Sequence, residues 1–463
     1  MAKKVDAVII GAGLSGSILG AYLAKGGLKT VVLEATDRIG GPKFGSYSMN
    51  GFRADLTHVP AWCMTFNGGG GWWVKAAHEV GATITFQCLP NAAFHIGGRI
   101  IKMPYCTSGK AFLSFMKEMM PFPLPESTEN ALAKLFDTVL HMPEEQLWSE
   151  EMDTTPAEVW MDSVINDETA KTLMATLSGM QLCIPPETAL KSVNGRMVAG
   201  GALLAIFGGK INVVGLVNGA CDEIPKGFCK VTTDYGGEVL LNHKVSRVIV
   251  EEGQAKGVVV SNKGKDETYE AKHVIISTEY TAYKGLLGEN LPHQFEKTIK
   301  AFDGMPITSL DVHFGLKRPV LYPFYNYLGF VSDTGEFTCL AASLPHYDPK
   351  SHPEGKELLQ LQTFKPTPVF KKRSKEEWTE TMLDTVEKVA PGVRSEIEWS
   401  HATSISQPFH YQFVPVTKIP FDCPGIANLH FTGDCTPAPG LTTDRAAASA
   451  MIVAKKILKS RRK

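Results

Sequence analysis

Three glycines near the N-terminus have the spacing of a dinucleotide-binding loop. Gly11, Gly13 and Gly16 form a GxGxxG motif, and Glu34 follows the last of them by 18 residues. In such a loop the first glycine allows a tight turn, the second lets a pyrophosphate approach the backbone, and the third lets the helix pack closely on the strand. A carboxylate at position 34 can accept hydrogen bonds from ribose hydroxyls and disfavours a 2′-phosphate.

The segments around this motif predict the elements that it requires. Residues 5–10 are typical of a buried strand, residues 17–25 of a helix, and residues 29–33 of a second strand. The start of the helix would present free N–H groups and a positive dipole end to the phosphates. The predicted binding residues in this unit are Gly11, Ala12, Gly13, Leu14, Ser15, Gly16, Glu34 and Ala35. The motif by itself does not distinguish FAD from NAD.

A second glycine-rich segment directly after this unit favours FAD. It contains Arg38 and the pair Gly40-Gly41, and a glycine pair here would let the chain pass close to a second stretch of cofactor. Pro42 is followed by Lys43. We therefore expect Lys43 or Arg38 to neutralise the pyrophosphate.

The C-terminal segment also favours FAD. A predicted strand at residues 428–431 runs into Gly433-Asp434, which can hold a ribityl hydroxyl or a phosphate. An alanine-rich helix then opens near Leu441 and Thr442 and continues to about residue 458. N–H groups at its start would point at the N1 and O2 edge of a flavin, where a positive dipole end stabilises the reduced, anionic ring.

Together these segments resemble the superfamily of FAD-dependent amine oxidases, phytoene desaturases and protoporphyrinogen oxidases, and most closely its phytoene desaturase-like branch. A fourth match at residues 236–245 implies that the backbone of Val245 contacts the adenine. The resemblance implies FAD as the cofactor. It also implies an α/β fold in which a Rossmann-like FAD-binding domain of the GR2 type is interwoven with an α+β substrate domain.

The implied domains are discontinuous along the chain. The predicted boundaries are 1–60, 205–290 and 400–463 for the FAD-binding domain, and 61–204 and 291–399 for the substrate-binding domain. In residues 307–314 and 358–364, apolar residues either alternate with polar ones or follow one another directly. Both patterns are typical of strands, which we assign to the second domain. This layout places the substrate pocket over the flavin, at the interface of the two domains.

The resemblance implies hydride transfer between flavin N5 and an apolar substrate that is terpenoid, polyene-like or enoyl. The reaction would be a desaturation, a saturation or an isomerisation. Ser309 stands where amine oxidases of the superfamily often carry a lysine, which disfavours the alternative of an amine or amino-acid oxidase that produces an imine and hydrogen peroxide. A second alternative is a non-catalytic prenyl- or lipid-binding relative, similar to the Rab GDP dissociation inhibitors.

The catalytic group itself has no motif. The candidates are Asp55, His58, Ser309, His410 and Tyr411. The first two follow the glycine-pair segment, and the last two precede the C-terminal FAD segment, where relatives place aromatic side chains beside the ring. A hydrocarbon substrate needs positioning above all, whereas a carbonyl or enol also needs a proton donor. A purely structural role is the alternative interpretation for each candidate.

Composition narrows the class of partners. The 463 residues include 47 Lys plus Arg and 48 Asp plus Glu, and this net charge of −1 argues against nucleic-acid binding. Nine cysteines without a CxxC pair indicate free thiols in a reducing cytosol and no metal site. We expect a cytoplasmic protein, and peripheral membrane contact through the basic C-terminus and a homodimer stay open alternatives. No second dinucleotide motif follows a strand, so oxygen, a quinone or a carrier is the expected electron acceptor.

Overall fold

The fold was analysed in a computed structural model of the chain. The structure describes residues 2–56, 71–88, 92–102, 109–120, 123–182, 191, 193–196, 198–199, 215–217, 219–262, 265–302, 306–321, 327–331, 337–343, 351–408 and 418–461. No helix in this part of the chain combines the length and the apolar character of a membrane span.

The strands and helices of the described residues alternate along the chain. The strands are β1 Lys3–Ile10, β2 Thr30–Leu33, β3 Ser46–Met49, β4 Phe52–Asp55, β5 Phe86–Cys88, β6 Ala92–Ile96, β7 Arg99–Lys102, β8 Gly215–Val217, β9 Glu238–Leu240, β10 Lys244–Glu251, β11 Gln254–Asn262, β12 Lys265–Ile276, β13 Pro306–Leu316, β14 Tyr327–Val331, β15 Phe337–Ser343, β16 Glu357–Pro366, β17 Ile397–Pro408 and β18 Leu429–Phe431. The α-helices are α1 Leu14–Lys25, α2 Gly41–Phe44, α3 Trp72–Val80, α4 Gly109–Met119, α5 Glu126–His141, α6 Glu144–Leu147, α7 Glu150–Thr154, α8 Ala157–Asp162, α9 Glu168–Leu182, α10 Glu223–Asp234, α11 Tyr283–Leu287, α12 His293–Phe302, α13 Thr367–Phe370, α14 Lys375–Glu387, α15 Val393–Glu396 and α16 Thr442–Ser460. Short 3-10 helices lie at Tyr280–Ala282 and Gly288–Asn290.

The first sheet contains the predicted dinucleotide-binding unit. Its strand order is β10-β11-β12-β1-β2-β9, and β18 pairs with β12. Strand β1 runs parallel to both β2 and β12, so that Val8 lies between Val31 and Val274. Helix α1 packs on this sheet together with α10 and α16. Because layers cover the sheet, its central strands read as continuous apolar runs. The predicted α/β fold with a Rossmann-like unit is confirmed.

The second sheet has the order β17-β13-β16-β15-β14-β6-β7. Its pairs are antiparallel except for β14 with β6, which run parallel. Helix α14 packs on one face through Trp378 and Met382. Strands were predicted at residues 307–314 and 358–364, and β13 and β16 confirm them.

The helices within residues 109–182 have their own apolar core. Helices α4, α5, α8 and α9 bury residues such as Phe115, Phe136 and Met161. Leu441, the residue before α16, belongs to the same core. The helical core therefore packs directly against the start of the helix that was predicted to face the flavin.

Two sequence predictions about boundaries differ from the structure. Residues 236–245 form two strands, β9 and β10, because Asn242 takes a left-handed conformation (φ 58°) and turns the chain between them. Strand β17 pairs with β13 in the second sheet. The boundary predicted at residue 400 falls inside this strand. The division into two domains itself stays a prediction.

Candidate functional site

The glycine loop has the geometry that its motif predicts. Gly11 has φ +104°, and a Cβ added to it would lie 2.8 Å from the carbonyl oxygen of Ser277. A Cβ at Gly16 would lie 2.0 Å from the carbonyl oxygen of Gly11. At Gly13, by contrast, an added Cβ would meet no atom of the described residues within 4 Å. The first and third glycines are thus required by the fold, whereas the second borders open space that suits a pyrophosphate.

Glu34 lies against this loop at the end of β2. Its Oε2 accepts a hydrogen bond from the backbone N–H of Ala12 at 2.9 Å, and its Oε1 accepts one from the backbone N–H of Thr36 at 2.9 Å. The carboxylate is buried. Oε1 also accepts from the Thr36 hydroxyl at 2.9 Å, so only Oε2 keeps a further lone pair. Ala35 is exposed directly beside it.

The predicted adenine contact lies next to Glu34. The backbone N–H of His243 donates to the carbonyl of Glu34 at 2.8 Å, which holds the turn before β10 against the end of β2. Val245 follows on β10 and pairs with Val260. Its side chain is buried in the core of the first sheet, so only its backbone could contact a ligand.

The second glycine segment folds back onto the loop. Gly40 has φ +108° and donates its N–H to the carbonyl of Ala12 at 3.0 Å. Gly41, with φ +61°, starts the short helix α2. Lys43 in that helix lies with its Nζ 3.2 Å from both Asp434 and Glu279. Arg38 instead pairs with Asp37 near the surface. Of the two predicted cations, Lys43 therefore lies among the other predicted binding residues.

The C-terminal segment is held against the first sheet. The N–H of Gly433 donates to Ser449 Oγ on α16 at 2.8 Å, and Leu441 is the extended residue before that helix. Helix α16 begins at Thr442, as predicted. Thr432, next to Gly433, has a buried hydroxyl with no hydrogen-bond partner among the described residues. A buried polar atom without a partner is costly and suits a polar ligand.

These contacts bring most of the predicted binding residues together. Residues 11–16, 34, 40–43 and 433–434 meet through the backbone and side-chain bonds described above, although they lie at opposite ends of the chain. The open space at Gly13 and the buried hydroxyl of Thr432 fit a dinucleotide with a pyrophosphate. The residues present therefore fit FAD.

A buried ion cluster supports the loop before α16, and the sequence motifs did not reveal it. Asp153 Oδ1 lies 2.7 Å from Arg445 and 3.4 Å from Arg196. Arg196 also donates to the carbonyl of Ala438 at 3.1 Å, and Arg445 Nε donates to that of Gly440 at 3.2 Å. These bonds tie α7 to the loop that precedes Leu441. No spacing in the sequence could reveal the cluster, because Asp153 and Arg445 are 292 residues apart.

The charge balance of this cluster depends on the carboxylate of Asp153. Burial opposes its ionisation, but Arg445, Lys418 and Arg196 outweigh burial and lower the pKa of Asp153. Burial and the neighbouring Arg445 lower the pKa of Lys418 to about 7. The same two causes lower the pKa of Arg196 to about 9. Asp153 thus stabilises three cations that are buried together.

Of the five catalytic candidates, two lie in the described part of the chain. Asp55 is fully buried at the end of β4, and its Oδ1 accepts the backbone N–H of Cys221 at 2.7 Å. Burial raises the pKa of Asp55 to about 6. Ser309 lies in the middle of β13, where its hydroxyl donates to Asp311 Oδ2 at 2.7 Å. His58, His410 and Tyr411 fall outside the described residues.

Two further expectations concern metals and the basic C-terminus. Within the described ranges, no group of three or more His, Cys, Asp or Glu side chains could hold a metal ion. Two basic residues at the C-terminus have partners on the protein surface. Lys455 pairs with Glu79 at 2.8 Å, and Arg461 donates to the carbonyl of Gly26 at 3.0 Å.

Comparison with known proteins agrees with this geometry. A curated prolycopene isomerase, described as chloroplastic, from Daucus carota is 22% identical over 494 residues, which cover 95% of this chain and 78% of the relative. An oxidoreductase from Methanosarcina mazei superposes with a TM-score of 0.73 at 19% identity, over 98% of this chain and 100% of its own. A cyclohexylamine oxidase from Brevibacterium oxydans superposes with a TM-score of 0.64 at 15% identity, over 99% of this chain and 100% of its own.

The two structural likenesses are below 25% identity and show the fold alone. The model of the family described as flavin containing amine oxidoreductase matches residues 14–458, which is nearly the whole chain. The chain therefore belongs to the flavin-containing amine oxidoreductase family, and FAD is its cofactor.

Proposed function

We propose that this flavin-dependent oxidoreductase acts on an apolar, unsaturated substrate, in a desaturation, a saturation or an isomerisation. The flavin, when bound, supplies hydride transfer at N5. The observation that carries the proposal is Ser309, buried on β13 and bonded to Asp311. This is the place where, by the resemblance of the sequences, amine oxidases of the superfamily often carry a lysine.

Two further observations support an apolar substrate. The relative from Daucus carota, which aligns with 95% of this chain, is named a prolycopene isomerase. The helical core that packs on Leu441 is built from large apolar side chains, including Phe115 and Phe136. A substrate pocket between this region and the flavin would have apolar walls.

The chain's own residues would bind and orient the substrate and hold a proton. Asp55, with its pKa raised to about 6, can be protonated or ionised near neutral pH. Such a group suits a reaction in which a proton leaves or joins the carbon next to the hydride site. The ion cluster around Asp153 would keep the loop before Leu441 in place.

Amine oxidation is the second candidate. The cyclohexylamine oxidase and a putrescine oxidase share the fold at 15% identity. An amine oxidase would release hydrogen peroxide from its amine substrate in air. A non-catalytic lipid-binding relative, the third candidate, would be purified without flavin absorbance.

The test is anaerobic titration of the purified, flavin-loaded protein. For a desaturation, loss of flavin absorbance with a terpenoid or polyene is expected; for a saturation, an enoyl compound or polyene should restore the absorbance of the reduced flavin. Amines should leave the spectrum unchanged. An isomerisation gives no net bleaching, so the same compounds are also incubated with the dithionite-reduced protein and the products are analysed by chromatography. Bleaching by an amine, with fast reoxidation in air and peroxide release, would overturn the proposal.

A further inference from the structure

The two faces of β13 differ in chemistry, although both are buried. Leu310, Val312 and Phe314 belong to the apolar core under α14. Ser309, Asp311 and His313 alternate with them and point to the other face. Asp311 and His313 are both 0% exposed. A polar strand face normally meets solvent, so its complete burial here requires an explanation.

The neighbouring strand β16 continues this polar face. Gln360 lies opposite His313, and Gln362 lies opposite Asp311. Gln362 Nε2 donates to Ser309 Oγ at 3.2 Å, and Gln360 Nε2 donates to Asp311 Oδ1 at 3.3 Å. We call these five residues of β13 and β16 the polar face. Its hydrogen bonds form one network centred on the Asp311 carboxylate.

Tyr47 covers the polar face from the β3–β4 hairpin. Its ring centroid lies 5.6 Å from that of His313 and 4.7 Å from that of His401 on β17. Burial, together with the charges of Asp55 and Asp311, raises the pKa of Tyr47 well above its usual value. The phenol is therefore a neutral O–H group close to the network.

The same hairpin connects the polar face to the FAD segments. Strand β3 begins three residues after Lys43, which pairs with Asp434. At the end of the hairpin, the N–H of Leu56 donates to the carbonyl of Gly45 at 2.8 Å, and the hydroxyl of Thr403 on β17 donates to the carbonyl of Leu56. The hairpin thus links the polar face of the second sheet to the chain that carries Lys43, a predicted pyrophosphate contact.

Two buried polar atoms of this region have no hydrogen-bond partner in the described part of the chain. They are the phenol oxygen of Tyr47 and Oε1 of Gln360. The amide orientation of Gln360 follows from chemistry, because a carboxylate only accepts and the group facing Asp311 must be the amide NH₂. One O–H donor and one carbonyl acceptor therefore stay unsatisfied among the described residues. The Tyr47 ring contacts His313, and Gln360 lies opposite His313 on the neighbouring strand.

A hydroxyl group is complementary to this pair. It can accept a hydrogen bond from the Tyr47 phenol and donate one to Gln360 Oε1. An alkylammonium group could donate to Gln360 and to the phenol oxygen, but it has no lone pair with which to accept the phenol proton, which would stay unsatisfied. We propose that the polar face and Tyr47 form a recognition site for a neutral hydroxyl group, so that the substrate of this enzyme is an apolar molecule that carries an alcohol. This inference rests on the proposed apolar substrate and specifies its functional group.

The test measures binding to the flavin-loaded protein without turnover. The probes are matched pairs of geranylgeraniol, farnesol and retinol with the hydrocarbons in which hydrogen replaces the hydroxyl. Binding is followed by the perturbation of flavin absorbance. At least one alcohol should bind about tenfold or more tightly than its hydrocarbon, because the hydrocarbon leaves both buried groups unpaired.

Two variants test whether Tyr47 and Gln360 cause the preference for the alcohol. Tyr47→Phe and Gln360→Met should each reduce the preference for the alcohol to near unity while leaving the affinity for the hydrocarbon unchanged. The Tyr47 phenol has no partner among the described residues, so the melting temperature of Tyr47→Phe should not fall. Gln360→Met also removes the Nε2 bond to Asp311, so its melting temperature should fall slightly. Tyr269→Phe is the matched control, because its phenol accepts from Lys3 at 3.1 Å on the first sheet, and it should keep the preference.

The outcomes separate this inference from the proposed function. If alcohols and hydrocarbons bind equally in the wild type, or if no alcohol binds, the hydroxyl site is overturned and the two atoms bond only to water. If the preference survives in both variants, the assignment to Tyr47 and Gln360 is overturned. Alcohol discrimination without any chemical conversion would instead leave the site standing and remove the proposed reaction.

Discussion

Asp444, in the first turn of α16, accepts a hydrogen bond from the backbone N–H of Trp73 at 3.3 Å. Trp73 lies in the first turn of α3, whose own preceding residue is Gly71 and offers no capping side chain. A residue 371 positions away therefore caps α3. The contact joins the start of α16 to the start of α3.

Replacing Asp444 should reveal this cap and its pH dependence. Burial raises the pKa of Asp444 to about 7, so the folded protein holds a proton there that the unfolded chain releases above about pH 4. The wild type should lose stability as pH rises from about 4 to about 7. Asp444→Asn stays neutral and should show a flatter dependence of melting temperature on pH over that range.

The alanine variant at the same position separates the charge from the cap. Asp444→Ala should be less stable than Asp444→Asn by about 1 kcal/mol at every pH, because it removes the acceptor for the Trp73 N–H. The measurement is thermal unfolding of all three proteins between pH 5 and pH 8. Parallel pH profiles for the wild type and Asp444→Asn would contradict the assignment.

Alanine substitutions at two glycines of the GxGxxG loop should have different effects. Gly16→Ala should prevent stable folding, since its Cβ would lie 2.0 Å from the carbonyl oxygen of Gly11. Gly13→Ala meets no described atom within 4 Å, so the flavin-free protein should keep its melting temperature while its affinity for FAD falls. Thermal unfolding without FAD and titration with FAD test both statements, and normal FAD affinity in Gly13→Ala would count against the loop assignment.

Lys43 provides a test of the second FAD segment. Its ammonium group lies 3.2 Å from Asp434 and from Glu279, where it can also neutralise a pyrophosphate. Lys43→Met should therefore lower the ratio of flavin to protein absorbance after purification. Lys3→Met is a matched control, because Lys3 forms a largely exposed pair with Glu267, and flavin content should be unchanged in it. Equal flavin content in both variants would exclude the role of Lys43.

Substitution of Asp153 is expected to lower the stability of the protein more than most other single substitutions. Asp153→Asn leaves Arg196, Arg445 and Lys418 without the carboxylate that they share, and the cost should be about 3–5 kcal/mol of unfolding free energy. Glu380→Gln, which breaks an exposed pair with Arg394, should cost about 1 kcal/mol or less. Denaturant unfolding measures both, and similar small losses would show that the cluster is dispensable.

The same cluster predicts behaviour in acid. The pKa of Asp153 is lower in the folded protein than in the unfolded chain, so its contribution to stability is present above about pH 4 and is lost as pH falls further. The wild type should therefore lose stability below pH 4 more steeply than Asp153→Asn. The comparison requires only equilibrium unfolding at pH 3, 4 and 5.

Local patterns in the sequence determined much of the cofactor site. The strand, the GxGxxG turn, the helix and Glu34 occupy one short stretch, and each is specified by apolar period or glycine conformation within a few residues. The same holds for β18, Gly433 and the start of α16. The left-handed turn at Asn242, which separates β9 from β10, is not visible in an apolar pattern.

Contacts between distant segments were decided only by the tertiary structure. The alternation along β13 predicts which residues share a face, but it cannot predict that Tyr47 and the hairpin cover the polar one. Likewise, Asp153 and Arg445 become partners only when α7 meets α16. The physical reason is that the sequence sets the period of each element locally. Whether a polar side chain ends in water, in an ion pair or beside a ligand depends on which other element packs over it.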